Sequence, residues 1–290
     1  MAEQRRHIVL REFAPMLNRT VRPSAEYLAT TDGSLLDEDF LLRTDSEGYI
    51  ETGNSGRGSI PIYILGDSFT EAVFEHEGKR HSDIFERNLI ERGLNYRVLN
   101  ASYSRATLLH LFDVLINKVL GSSVLPGTTV IVFKSQVDVL VTNAPGSYWN
   151  DFGLYSPIDP TSKSTQDTTN NLEHDLVSGA RLLNLFVDAC KRFEIRVILG
   201  TAPARTGNRQ NDPILSSYFD SEEQRSQRAA ERDASNALVR RVAAVRDIPL
   251  VDADRAFLGK PELFYDYTHM NSSGQAFLAQ LLTELLVDKL

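Results

Sequence analysis

From Ile60 to the end of the chain, short apolar runs of strand length alternate five times with stretches of helical periodicity. That alternation limits the fold more than any other feature. The runs at 61–66, 96–100, 128–133, 195–200 and 248–251 are rich in aliphatic and aromatic residues, the composition of strands covered on both faces. The stretches at 81–93, 108–119, 175–193, 222–246 and 274–287 read as helices; Leu108, Phe112, Leu115 and Val119, for instance, recur at helical spacing. A crossover between parallel strands is right-handed and lays its helix back on the sheet, so repeated strand–helix units cover both sheet faces. The expected fold is α/β, a three-layer α/β/α arrangement around a flavodoxin-like parallel sheet of about five strands.

With 290 residues, 42% of them apolar, the chain can bury a full core. The regular pattern assigns an α/β/α domain to residues 60–290. Residues 1–59 do not share it. Pro15, Pro23 and the turn signals Thr31-Asp32-Gly33 and Asp45-Ser46-Glu47-Gly48 describe an N-terminal appendage or strap of short strands, joined through a flexible stretch at 54–59.

The formal charge of −8 argues against nucleic acid or an anionic membrane as the main partner. No stretch approaches the roughly 20 apolar residues of a membrane span, and no secretory signal is legible, so a cytoplasmic location is expected. Cys190 is the single cysteine, which excludes an intramolecular disulfide; it shares an apolar stripe with Leu176, Ala180, Leu183 and Val187 and reads as a core thiol. His7, His76, His81, His110 and His174 show no metal-ligand spacing, and no glycine-rich phosphate loop is present. Neither a metal nor an organic cofactor is expected.

The first strand stops abruptly at Gly66-Asp67-Ser68. In an open parallel sheet the carboxyl ends of the strands border the ligand crevice, so a serine there is presented rather than packed away. Near the C-terminus stands Asp266-Tyr267-Thr268-His269, just before the last apolar helix. A carboxylate three residues before an imidazole can reach its Nδ1–H, fixing the tautomer and leaving Nε2 free as a base. A serine hydroxyl needs such a base before it becomes a useful nucleophile. Ser68, His269 and Asp266 supply nucleophile, base and orienting carboxylate.

With Gly-Asp-Ser at a strand end and Asp-x-x-His before the C-terminal helix, the sequence resembles the GDSL or SGNH hydrolase superfamily from about Ile60 onward. The resemblance implies acyl transfer through an acyl-Ser68 intermediate. It also implies oxyanion donors from two middle blocks. The second block of the family has a glycine whose N–H binds the oxyanion; in Val98-Leu-Asn-Ala-Ser-Tyr-Ser104 that position aligns with Ser102. The third, Gly-x-Asn-Asp, aligns with Ser135-Gln136-Val137-Asp138, so Val137 replaces the asparagine and cannot donate from its side chain. The expected oxyanion donors are the N–H groups of Ser68 and Ser102, either joined by Gln136 as substitute for the missing amide or acting without it.

Two connections, 141–174 and 201–221, are longer than ordinary strand–helix loops and leave strand carboxyl ends. They are expected to shape the substrate pocket, with Tyr148 and Trp149 as a stacking surface for a sugar or acyl group. Three functions are compatible with this pattern. The leading one is a serine ester hydrolase acting on a small-molecule or saccharide ester, such as an O-acetyl group. The second is an O-acyltransferase that uses the same three residues to acylate a sugar or metabolite hydroxyl. The third is a binding protein on a decayed hydrolase scaffold, motivated by the altered middle blocks.

Overall fold

The structure, a computed structural model, describes residues 10–121, 124–139, 148 and 172–287. The N-terminal segment contributes β1 (Asn18–Val21), α1 (Ala25–Leu28) and β2 (Phe40–Arg43), with β1 and β2 paired antiparallel. From there β3 (Ile60–Leu65), α2 (Ser68–Glu71), α3 (His81–Glu91), β4 (Tyr96–Asn100), α4 (Leu108–Val114) and β5 (Thr129–Phe133) follow in order. After them come α5 (Leu172–Arg192), β6 (Arg196–Gly200), α6 (Pro213–Tyr218), α7 (Glu222–Arg246), β7 (Leu250–Val251), α8 (Ala253–Phe257) and α9 (Ser272–Val287).

Strands β3 to β7 form one parallel sheet in the order β4-β3-β5-β6-β7. The chain steps outward from β3 to β4, then returns past β3 to β5. The direction of winding therefore reverses between β3 and β5, and in such sheets the crevice at that switch point binds ligands. Alternation along β3 builds the layers: Tyr63 and Leu65 enter one apolar core with Leu111, Phe186 and Leu238, while Ile62 and Ile64 enter the other with Phe85, Phe257 and Leu278. Pro61 is tolerated because the ladder to β5 starts one residue later, at Ile62. Cys190 is fully buried in the first core, which pushes its thiol up to about 12. Among the described residues no helix is long and apolar enough to cross a membrane.

The elements differ from the sequence reading in three places. The helix expected over 108–119 is α-helical only to Val114 and continues as a π turn, Leu115–Val119. The strand expected at 248–251 is reduced to Leu250–Val251, since Pro249 has no N–H to give the ladder. The connection 201–221 holds α6, opened by Pro213 and capped by Asp212, whose Oδ1 accepts the Ile214 N–H at 3.0 Å.

The N-terminal segment wraps the domain instead of standing apart. Ile50 N–H donates to the Asn100 carbonyl at 2.9 Å, at the outer strand of the sheet. Phe13, Leu42 and Ile50 form a small core of their own, and Leu35 and Phe40 cluster with Tyr265 from the loop before α9.

Candidate active site

The turn after β3 is shaped by close approach. A Cβ built on Gly66 would lie 2.2 Å from Thr70 Oγ1, so only glycine lets α2 begin this near the strand end. Asp67 then caps α2, its Oδ1 accepting the Phe69 N–H at 3.3 Å and its Oδ2 accepting the Ser135 hydroxyl at 2.5 Å. That second bond ties the turn after β3 to the turn after β5, across the switch point. Burial pushes the Asp67 carboxyl above the usual range, against the opposing pull of these hydrogen bonds. Ser68, the first residue of α2, is half-buried at the crevice.

The other half of the site is the loop entering α9. Tyr265 N–H donates to the His269 carbonyl at 3.0 Å, and inside the turn this makes, Asp266 Oδ1 accepts the N–H groups of Thr268 at 2.7 Å and His269 at 2.6 Å. The three-residue spacing thereby lets one carboxylate oxygen hold the turn while the other meets the ring: Asp266 Oδ2 is 2.6 Å from His269 Nδ1. His269 Nε2 in turn lies 2.8 Å from Ser68 Oγ. The Tyr265 ring stacks on the imidazole at 5.7 Å between centroids and 13° between planes.

Charge follows this geometry. Burial of the His269 ring favours its neutral form, but the charge and hydrogen bond of Asp266, with Asp67 and Glu71 behind it, outweigh burial and leave the imidazole above its ordinary pKa. Burial raises the Asp266 carboxyl, and the His269 charge, the Nδ1–H, the Tyr27 hydroxyl and the turn amides together bring it below the usual carboxylate range. A neutral His269 with Nδ1–H held by Asp266 presents Nε2 as acceptor for the Ser68 proton.

Ser68 and His269 open onto a cavity of about 750 Å³. Its walls take Gln136 and Val137 from the turn after β5, Tyr218 and Phe219 from the 201–221 connection, and Arg105 from the turn after β4. The long connection after β6 therefore shapes the pocket as its length implied.

Three sequence expectations need correction. The Ser102 N–H does not face the cavity; Ser102 is fully buried and its amide donates to Asn100 Oδ1 at 3.0 Å, while Asn100 Nδ2 holds the Thr70 carbonyl. Gln136 borders the cavity, but its Nε2 is committed to the Pro203 carbonyl at 2.8 Å, bracing one rim loop on another. Tyr148 is buried in the apolar core with Leu111 and Phe186 and does not line the cavity, because its ring is more favourably covered than displayed. Trp149 lies outside the described residues.

The fold also occurs in proteins of known type. The sequence profile of the GDSL-like lipase/acylhydrolase family matches residues 64–277. The chain belongs to that family. The comparison with curated proteins finds no match. Among solved structures, the acetyl xylan esterase AlAXEase is similar at 18% identity and a TM-score of 0.54, over 78% of this chain and 98% of that one. A lipase/acylhydrolase from Enterococcus faecalis shares 16% identity at a TM-score of 0.54, covering 80% and 97%. A catalytic mutant of Axe2, an acetylxylan esterase from Geobacillus stearothermophilus, shares 18% identity at 0.52, covering 79% and 95%.

For this GDSL family member the structure also reveals site residues that sequence reasoning passes over. Arg105, exposed on the cavity wall, has φ of +66°, a left-handed conformation that favours glycine. An arginine there carries no sequence signal for such a backbone. Tyr27 is the other: its hydroxyl donates to Asp266 Oδ2 at 2.7 Å across 239 residues of sequence. Nothing local marks a tyrosine for that contact.

Proposed function

We propose that the protein is a serine ester hydrolase working through an acyl-Ser68 intermediate. The observation that carries this reading is the continuous chain from Ser68 Oγ to His269 Nε2 at 2.8 Å and from Nδ1 to Asp266 Oδ2 at 2.6 Å, at the floor of an open cavity. Ser68 Oγ attacks the ester carbonyl carbon as its proton passes to His269 Nε2, giving a tetrahedral oxyanion and an imidazolium that Asp266 stabilises. Collapse breaks the bond to the alcohol oxygen, which takes the proton from Nε2 and leaves. Water, deprotonated by the same nitrogen, then attacks acyl-Ser68, releasing the acid and restoring the serine hydroxyl.

The oxyanion donors in this reading are the backbone N–H groups of Ser68 and Arg105. Among the described residues neither amide donates to a protein acceptor, whereas that of Ser102 does. The left-handed turn supports Arg105, rather than Ser102, as the counterpart of the second-block glycine. A lost donor costs about 100-fold to 1,000-fold in rate in other serine hydrolases, and with no side-chain amide at Val137 this reading leaves the oxyanion to the two backbone amides.

The substrate class we infer is a small acyl ester, with an O-acetyl group on a saccharide as the favoured case. Exposed Tyr218 packs beside Tyr267 at 4.9 Å between centroids on the cavity wall, a stacking face that Tyr148 does not supply. Two of the similar structures are acetylxylan esterases, which accords with such a ligand. A decayed scaffold would have no reason to keep Ser68 within reach of Nε2, and the contact weighs against that alternative.

Fluorophosphonate labelling and p-nitrophenyl acetate turnover test the reading. Both are expected to vanish in Ser68→Ala, and undiminished labelling of that variant would reject Ser68 as nucleophile. A panel of acetylated sugars, run with and without an acceptor alcohol, separates hydrolysis from transfer: ester formed on the acceptor in place of free acid would favour the acyltransferase.

A further inference from the structure

The family match begins at residue 64, yet a hydrogen bond to the orienting carboxylate comes from Tyr27, well before it. We propose that Tyr27 is a positioning residue that acts through Asp266, and that the N-terminal segment is part of the active site. The proposal rests on the acyl-transfer reading of Ser68.

Asp266 accepts four hydrogen bonds among the described residues. Oδ1 is saturated by the Thr268 and His269 amides of its own turn. Oδ2 receives His269 Nδ1–H at 2.6 Å and the Tyr27 hydroxyl at 2.7 Å, so among the described residues the phenol is the one donor to this carboxylate that does not come from the turn itself. The phenol oxygen also lies 3.2 Å from His269 Nδ1. A hydroxyl that gives its proton to Oδ2 turns its lone pairs toward that nitrogen, an arrangement that suits Nδ1–H and disfavours a bare Nδ1. Tyr27 thereby reinforces the tautomer that Asp266 sets, in which Nε2 is the base. Burial, followed by the neighbouring Tyr265 and the Asp266 charge, holds the phenol far above its ordinary pKa, so it remains a donor throughout the working range.

The hydroxyl is itself held. Ser24 Oγ caps α1 by accepting the Tyr27 N–H at 3.1 Å, and the ring packs against Phe74 at 5.6 Å and edge-on to Tyr265 at 6.4 Å. The same segment grips the histidine turn from outside: Asp32 N–H donates to the Tyr265 carbonyl at 2.8 Å, and the Asp32 carboxylate lies 3.6 Å from Arg205. Arg205 in turn donates its backbone N–H to the Tyr267 carbonyl. The turn that carries base and carboxylate is therefore fastened between two parts of the chain.

Tyr27→Phe removes the hydroxyl and keeps the ring, so the packing with Phe74 and Tyr265 survives. With p-nitrophenyl acetate, kcat is expected to fall about tenfold, the scale of one charge-assisted hydrogen bond partly replaced, with KM nearly unchanged. The acid limb of the rate profile should move upward, because an Oδ2 no longer shared with the phenol holds the imidazolium more tightly; Asp67 and Glu71, which also face His269, are untouched. In an Asp266→Ala background the same substitution should cost little, whereas a merely structural tyrosine would cost as much in both backgrounds. A folded Tyr27→Phe enzyme with unchanged kcat and acid limb, or an equal loss in both backgrounds, overturns the proposal. If fluorophosphonate still labels Ser68 in that case, the hydrolase reading stands without it; if Ser68→Ala labels undiminished, it is the hydrolase reading that has failed.

Discussion

Glu71 and Ser104 share a hydrogen bond in which the Ser104 hydroxyl donates to the Glu71 carboxylate. It joins the short helix that begins with Ser68 to the turn that carries Arg105, so the proposed nucleophile and the proposed second oxyanion amide are braced on each other. Burial raises the Glu71 carboxyl to about 7 from its ordinary 4.5, against the pull of Ser104. The folded state thus keeps a proton that the unfolded chain loses, and this group lowers stability as pH rises between 4.5 and about 7. Glu71→Gln is expected to abolish that slope, gaining on the order of 1–3 kcal/mol over the native protein at pH 8 and little at pH 4.5. Thermal unfolding at the two pH values checks it; an equal difference at both would reject it.

Proton transfer in the proposed reaction requires neutral His269; burial lowers the ring, but the Asp266 charge and hydrogen bond outweigh it and hold the ring above its ordinary 6.5. The acid limb of kcat/KM, which reports the free enzyme, is expected to have its midpoint above 6.5, with activity lost as pH falls through it. A midpoint at or below that value would mean that the Asp266 contact does not control the base.

Arg105→Gly keeps the backbone N–H while relieving a left-handed conformation that costs a side-chain-bearing residue about 1–2 kcal/mol. Stability should rise by about 1 kcal/mol and turnover of p-nitrophenyl acetate should stay within a few-fold of the native rate. Loss of about 100-fold or more, the scale of a missing oxyanion donor, would show that the guanidinium and not the amide is what the reaction uses.

Gln136→Ala addresses the donor that sequence alone put forward. Since Nε2 is spent on the Pro203 carbonyl, the variant should lose about 1 kcal/mol of stability from that hydrogen bond and little of its kcat. A fall of about 100-fold in kcat without unfolding would return Gln136 to the oxyanion site.

The parts of this molecule legible in the sequence are those set by periodicity and by short spacing. Continuous apolar runs make strands buried on both faces, and the spacing of Asp266 to His269 corresponds to a turn whose amides need a carboxylate. The oxyanion side is not legible because an N–H carries no side-chain signature: Ser102 and Arg105 differ in backbone conformation, which residue type alone does not reveal. Tyr148 is not legible for another reason, since an aromatic in a long loop can face a cavity or fill a core, and only tertiary packing, which here buries it in the core that includes Leu111 and Phe186, decides. Tyr27 carries no sequence signal because its partner lies at the opposite end of the chain, where no local pattern reaches.

The division of β3 between two cores has a consequence for the chemistry. Ile62 and Ile64 must face one layer and Tyr63 and Leu65 the other, so a slip of one residue would turn every side chain to the wrong face. The same slip would displace the following turn by about 3.3 Å, more than a hydrogen bond can span. The reach of Ser68 to His269 is thus measured out by the parity of a greasy tetrapeptide, and a gauge made of packing resists wear: what would shift the nucleophile would first cost the protein its cores.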